Sequence, residues 1–280
     1  MIAIADSGST KTEWVVISPS TNQKFVTPGF NPYFIDSNGI KNELQKNVPH
    51  NLKINDIKKI YFFGAGCSSE ERCKIVHKGL KSFFSKAEVF VSHDIDAAAK
   101  ALFGNKKGIA LILGTGSNSC VYNGREIISN IPALGYILGD EGSGAYFGLR
   151  LVKDFLNNEM PKEIAEKFKK EYPFDREYIL DRVYKQPFPN RFLASYAPFL
   201  SSYSHFDYVK KIINEGFDLF FKRHVVPYPN YQNYEIGSVG SIGYYLSSNL
   251  IEIANKYGFK TIKIIKSPLD GLLEFYQKNL

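Results

Sequence analysis

Two short glycine turns, each set between a pair of strand-like runs, constrain what this chain can fold into. The first is Asp6-Ser7-Gly8-Ser9-Thr10-Lys11-Thr12, entered from the apolar run 2–5 and left through 13–17. The second is Gly114-Thr115-Gly116-Ser117-Asn118-Ser119, entered from 109–113 and left through 119–122. Glycine lets a backbone bend tightly and approach an anion, while hydroxyls and amide N–H groups supply donors. Two such hairpins, facing each other across a cleft, could grip the phosphates of one nucleotide from both sides.

Around these turns β and α signals alternate, which predicts an α/β protein. In the first half a strand at 23–27 precedes a helix near 40–47. The run 59–63 reads as a short buried strand ending in Gly64-Ala65-Gly66. Ser68-Ser69-Glu70-Glu71 has the chemistry of a helix start, with a serine to cap and acids at the positive end. A strand at 88–91 leads to a helix over 96–102. The second half restarts at Ile109 and then carries a helix-rich insertion over 142–224. A strand at 234–239, a helix over 242–257, a strand at 261–265 and a helix over 268–278 follow. The repeated pattern predicts two lobes of related topology, 1–106 and 107–280, with the last helix able to pack back on the first.

Composition narrows the function classes. No run approaches the roughly 18 apolar residues of a membrane span. The N-terminal residues enter a strand with no basic region or cleavage signal, so neither secretion nor membrane association is expected. Cys67, Cys73 and Cys120 form neither a CxxC nor a zinc-finger spacing. That pattern fits a reducing cytoplasm and argues against a structural metal or an iron–sulfur cluster. The 35 basic and 28 acidic residues are interspersed, and the resulting charge of +7 reads as a solvated surface rather than a nucleic-acid footprint. The aromatic-rich segment 188–221 reads as core, with the face of a homodimer as its alternative.

The first turn is not a Walker A loop. That motif needs Gly before Lys and a helix after it, whereas Thr10 precedes Lys11 and a strand follows. The second lacks the third glycine of the dinucleotide fingerprint and also continues as a strand. Asp6, at the end of a strand, could hold Mg²⁺ directly or through water, or could close an Asx turn. Asp94 lies where a strand gives way to a helix. It could accept a hydroxyl proton in phosphoryl transfer, but from the residues alone the helix-cap role is favoured. Asp96, two residues on, is the fallback base. Gly139-Asp140-Glu141-Gly142-Ser143-Gly144 places acids at a helix start, where they suit the dipole, among glycines that permit close approach to a polyhydroxylated ligand. Gly240-Ser241, at a strand-to-helix junction, offers a flat surface for an adenine ring or for helix packing. Asn31, after Pro28-Gly29-Phe30, could present an amide to a ligand or simply turn the chain.

Taken in order, the segments 6–12, 94, 114–118, 139–144 and 240–242 resemble the actin/hexokinase/heat-shock-protein ATPase superfamily. Within it they are most similar to the N-acetylglucosamine kinase-like members of the BadF/BadG ATPase family. The likeness spans nearly the whole chain, including Ser267-Pro268-Leu269-Asp270-Gly271-Leu272. It implies a two-lobed, ribonuclease H-like fold with a duplicated mixed sheet and the nucleotide between the lobes. Gly8, Ser9, Thr10, Lys11 and Thr12 would form the first phosphate loop. Asp6 would orient Mg²⁺, and Gly114, Thr115, Gly116 and Ser117 would form the second loop. The resemblance makes Asp94 the catalytic base. It places Asn31, Asn118, Asp140 and Glu141 on the sugar, and Gly240 and Ser241 on adenosine. Activator ATPases of this family hold an iron–sulfur cluster, for which this chain has no cysteine pair.

The implied activity is an ATP- and Mg²⁺-dependent, cytoplasmic sugar kinase acting on the 6-hydroxyl of N-acetylglucosamine or a related amino sugar. Its partner is a small sugar, with no nucleic acid and no membrane. The alternative acceptors are glucosamine or another hexose. The alternative class is a sensor that binds ATP and sugar without catalysis.

Overall fold

The computed structural model describes residues 1–8, 10–18 and 22–278. Contacts divide the chain into two compact units, Met1–Gly104 with Pro268–Leu280, and Asn105–Ser267.

The first unit contains strands β1 (Ile2–Ser7), β2 (Lys11–Ile17) and β3 (Gln23–Pro28), then helix α1 (Ser37–Asn47). Strand β4 (Lys59–Gly64), helix α2 (Glu70–Phe83), strand β5 (Glu88–His93) and helix α3 (Asp94–Phe103) follow. Its sheet runs in the order β3-β2-β1-β4-β5. β1 pairs antiparallel with β2 and parallel with β4. Successive side chains of a strand point to opposite faces. Ala3 and Ala5 therefore join Trp14, Phe62 and the inward residues of α1 and α2, among them Leu44 and Leu80, in one core. Asp6 lies on the other face, where α3 packs. Asp36 caps α1 by accepting Gly39 N–H at 2.7 Å, and Ser69 caps α2 through Arg72 N–H.

The second unit repeats this plan. It has β6 (Gly108–Leu113), β7 (Ser117–Tyr122) and β8 (Ile127–Ile131), then the helices α4 (Gly135–Leu138) and α5 (Gly144–Leu156). Helices α6 (Lys162–Glu171), α7 (Arg176–Tyr184), α8 (Pro189–Ala194), α9 (Pro198–Ser202) and α10 (Asp207–His224) come next. Strand β9 (Glu235–Val239), helices α11 (Ser241–Tyr245) and α12 (Ser247–Lys256), and strand β10 (Ile262–Ile265) complete it. The sheet order, β10-β9-β6-β7-β8, has the same pattern of parallel and antiparallel neighbours as the first. This is the duplicated mixed α/β sheet with flanking helices expected of an actin-like ATPase. The last helix, α13 (Leu269–Lys278), belongs to the first unit and packs on α3.

The structure corrects two details and bears out a third, the reading of the aromatic segment as core. Strand β8 was not anticipated. The helix expected over 242–257 is two helices that meet at Leu246. The aromatic segment is spent on the core: Phe199, Phe217, Phe220 and Phe221 are fully buried beside Phe147, so they offer no dimer face. Among the described residues no helix is long and apolar enough to cross a membrane.

Candidate functional site

In the first unit, β1, β4 and β5 are parallel and end in register, Ser7 beside Gly64 and Gly64 beside His93. The carboxyl ends of parallel strands are where open α/β sheets bind ligands. Asp6 reaches this edge from β1, and Asp94 follows β5 directly. Burial first, then the neighbouring Asp94 carboxylate and Glu13, push the Asp6 carboxyl up to about 7, against the opposing pull of Lys11. Burial also raises Asp94, although the Ile95 N–H and His93 act in the other direction. Two carboxyls thus share one poorly solvated corner.

Asp94 does not cap its helix. The cap position is His93, which makes no side-chain capping bond, and Asp94 is the first helical residue. Asp96 Oδ2 accepts a hydrogen bond from Ser92 Oγ.

The first turn is braced from inside. Thr12 Oγ1 gives its proton to the Pro28 carbonyl at 2.9 Å, so Ser7 Oγ, 2.8 Å away, donates to Thr12. Ser7 Oγ in turn accepts Phe30 N–H at 3.0 Å. Thr12 is fully buried, and its hydroxyl holds the turn in shape. Gly8 N–H closes the turn on the Lys11 carbonyl at 3.0 Å, Thr10 is exposed, and Lys11 pairs with Glu13 at 2.9 Å. Ser9 lies outside the described residues. Asn31 is buried, and its Oδ1 accepts Tyr33 N–H at 3.0 Å in an Asx turn.

In the second unit the turn Gly114–Gly116 is docked on the start of α5. Gly144 N–H donates to the Gly114 carbonyl at 2.8 Å, and Ala145 N–H to the Thr115 carbonyl at 3.0 Å. Ser143 caps that helix by accepting Tyr146 N–H at 3.1 Å. Asp140 Oδ1 accepts Ser117 N–H at 3.2 Å, and Gly116 passes so close that a Cβ there would lie 3.0 Å from Asp140 Oδ2. Ser117 Oγ is buried and has no hydrogen-bond partner among the described residues. Gly240 completes the cluster. Its φ of +125° and the 2.3 Å between a Cβ there and the Leu113 carbonyl admit only glycine, and Ser241 begins α11 beside it, exposed.

Burial raises the Asp140 carboxyl, aided by Glu141 and opposed by Ser117 N–H and His224. Burial would raise Glu141 too, but its own backbone N–H, Arg223 and His224 outweigh that and hold it below the usual range. Asn118 Oδ1 is shared between Ser119 N–H at 2.9 Å and Asn130 Nδ2 at 3.1 Å. The first unit therefore gathers Asp6, Gly8 and Asp94 at the edge shared by β1 and β5. The second gathers Gly114, Thr115, Gly116, Ser117, Asp140 and Gly240 at the edge of β6. Sequence reasoning missed Ser7, Ser92, Arg223 and His224. Ser7 carried a local signal, since it stands inside the glycine turn; Arg223 and His224 carried none.

The chain matches no protein-family model and no curated protein. Solved structures do match it over its length. A candidate N-acetylglucosamine kinase from Porphyromonas gingivalis is 38% identical, with 100% of this chain and 99% of that one covered and a TM-score of 0.94. A candidate N-acetylglucosamine kinase from Chromobacterium violaceum is 16% identical, with 98% and 99% covered and a TM-score of 0.71. A glucokinase of the ROK family from Streptomyces griseus, solved with glucose and AMPPNP, is 13% identical over 99% and 98%, with a TM-score of 0.52. The last two share the fold.

Proposed function

This chain belongs to the N-acetylglucosamine kinase-like group of the BadF/BadG ATPase family, and from that premise we propose that it phosphorylates the 6-hydroxyl of N-acetylglucosamine or a related amino sugar with ATP. The observation that carries the chemistry is the Asp94 carboxyl, half-buried at the first turn of α3 and not its cap residue. Burial raises the proton affinity of this carboxylate, which is what a group taking a proton from a sugar hydroxyl requires. Asp96, which accepts a hydrogen bond from Ser92, is the fallback base.

The turns bind and orient the phosphates. In the second turn the carbonyls of Gly114 and Thr115 are held by α5, which leaves the tip fixed. Among the described residues no partner takes the N–H groups of Thr115 and Gly116, which suit phosphate oxygens. In the first turn the Ser7–Thr12 brace fixes the backbone that Gly8 and Thr10 present. Fixed donors matter because a transferred phosphoryl group is stabilised by groups already in place when charge develops. Gly240 and Ser241 lie against the end of β6, where an adenosine would continue from those phosphates.

Magnesium fits the first unit. Among the described residues no cluster of three or more His, Cys, Asp or Glu could hold a metal, but Mg²⁺ needs only one or two carboxylates with water and phosphate. The Asp6 carboxyl, pushed up by burial and by Asp94, is an oxygen donor whose surroundings would gain from a cation. Asp6 would hold Mg²⁺, which when bound supplies neutralisation of phosphate charge. On the sugar, Asp140 and the amides of Asn31 and Asn118 are the proposed ligands. We place the enzyme in the cytoplasm, where ATP is available and free thiols such as Cys67, Cys73 and Cys120 persist.

The test is ADP release over a panel of sugars with ATP and Mg²⁺, using wild type and Asp94→Asn. Stimulation by N-acetylglucosamine, lost by about 10²–10⁴-fold in the variant, supports the reading. Stimulation by glucosamine or glucose instead would change the acceptor. Nucleotide binding without any sugar-dependent turnover would replace the kinase with a sensor.

A further inference from the structure

Glu141 reads from sequence as a ligand for sugar hydroxyls, yet both of its carboxylate oxygens are already engaged. Arg223 Nη1 bonds one of them, and His224 Nε2 lies 3.1 Å from the other. Both partners stand in the last turn of α10, and the Glu141 side chain is only 4% exposed. The pairing pins a strained piece of backbone. Asp140 has φ +57° and Gly142 has φ +69°, so Glu141 sits between two left-handed residues.

The strained residue has a specific task. Asp140 Oδ1 accepts Ser117 N–H at 3.2 Å, and Oδ2 lies against Gly116. One carboxylate therefore touches the backbone of the phosphate turn and is also the proposed sugar ligand. The far end of the pin is itself anchored. The His224 ring stacks on Phe220 at 5.1 Å, and its carbonyl accepts Ser119 Oγ–H at 2.7 Å from β7, the strand that leaves the phosphate turn.

We propose that Arg223 and His224 are positioning residues that act through Glu141 to aim the Asp140 carboxylate, and so set sugar binding and the shape of the phosphate turn together. This rests on the kinase reading above. Glu141 is then an internal strut and makes no contact with sugar. Removing Arg223 takes the cation away from a buried carboxylate, and removing His224 leaves its second oxygen without a partner, so either change loosens the strut. A misaimed substrate ligand weakens ground-state and transition-state binding together, so its loss is read chiefly in KM.

The experiment uses the full chain and steady-state kinetics with N-acetylglucosamine and ATP varied separately. Arg223→Gln is expected to raise the sugar KM about tenfold and the ATP KM about threefold, with a smaller change in kcat. Arg223→Lys should recover to within about threefold of wild type, because an ammonium still neutralises Glu141. In an Asp140→Asn background, Arg223→Gln should add nothing, since the residue it aims is gone. Unchanged KM values in Arg223→Gln, equal loss in the lysine variant, or full multiplication of effects in the double variant would each overturn the proposal. If Arg223→Gln does not fold, as judged by circular dichroism, His224→Gln carries the same comparisons. If wild type itself phosphorylates no sugar, the kinase reading fails separately. MgATP titration calorimetry then decides the positioning role, which requires weaker binding in Arg223→Gln.

Discussion

The Asp6 carboxyl offers the sharpest perturbation, because its two states differ strongly in proton affinity. In an unfolded chain it titrates near 3.8, and in the fold it is pushed up to about 7, by burial and then by Asp94. A gap of about three powers of ten corresponds to about 4 kcal/mol. The folded protein binds this proton more tightly than the unfolded one. The group's contribution to stability is therefore intact below about pH 4 and is lost as pH rises through about 7. Of that ceiling, about 2–3 kcal/mol falls between pH 5 and pH 8. Sharing of the proton with Asp94 and local relaxation lower the realistic figure to about 1–2 kcal/mol. Asp6→Asn keeps the side-chain shape and removes the charge. The variant should outlast wild type at pH 8 in EDTA by about 2–6 °C more than it does at pH 5. Differential scanning fluorimetry at the two pH values reads this directly. An equal shift at both values would refute the argument that a carboxyl pair, rather than packing, sets the cost. The same variant should lose Mg²⁺-dependent ADP release, since the amide is a poor substitute for an anionic ligand.

Two further changes test the frame around the site. Gly240→Ala would force a Cβ to within 2.3 Å of the Leu113 carbonyl at φ +125°, so it should cost about 3 kcal/mol or more and weaken ATP binding, read by thermal melting and calorimetry. Tyr228→Phe removes the buried hydroxyl that is 2.8 Å from Ser119 Oγ and that accepts Ile131 N–H at 3.1 Å. It should cost about 1–2 kcal/mol and speed hydrogen exchange at Ile131, while exchange in β1 stays unchanged.

What could be read from the chain follows the range of the interaction that decides each feature. The two glycine turns were legible because a tight hairpin is settled by its own residues: Gly8 and Gly116 announce it, and the flanking apolar runs supply the strands. Ser69 as a cap of α2 was legible for the same reason. Strand β8 was not. Its residues Ile127-Ile128-Ser129-Asn130-Ile131 lie at a sheet edge with their middle exposed, so they need no continuous apolar run, and a tyrosine 97 positions away satisfies Ile131 N–H. The cap role favoured for Asp94 failed by one residue, because α3 begins at the aspartate rather than after it.

The acids divide along the same line. Asp6, Asp94, Asp96, Asp140 and Glu141 all stand at a strand end or a helix start, and local pattern treats them alike. Their partners in the fold separate them. Ser92 takes Asp96, and Arg223, 82 positions from Glu141, takes that residue with the help of His224. In Asp6 and Asp94 burial outweighs the opposing pulls of Lys11 and of His93 and the Ile95 N–H respectively, and both are raised. Glu141, paired with Arg223 and His224, is held below the usual carboxylate range and works as a strut. A carboxyl left raised and poorly solvated is held ready to take a proton or a metal ion. Turn chemistry therefore locates the candidate site, and the inventory of counter-charges decides which acids in it are available for reaction.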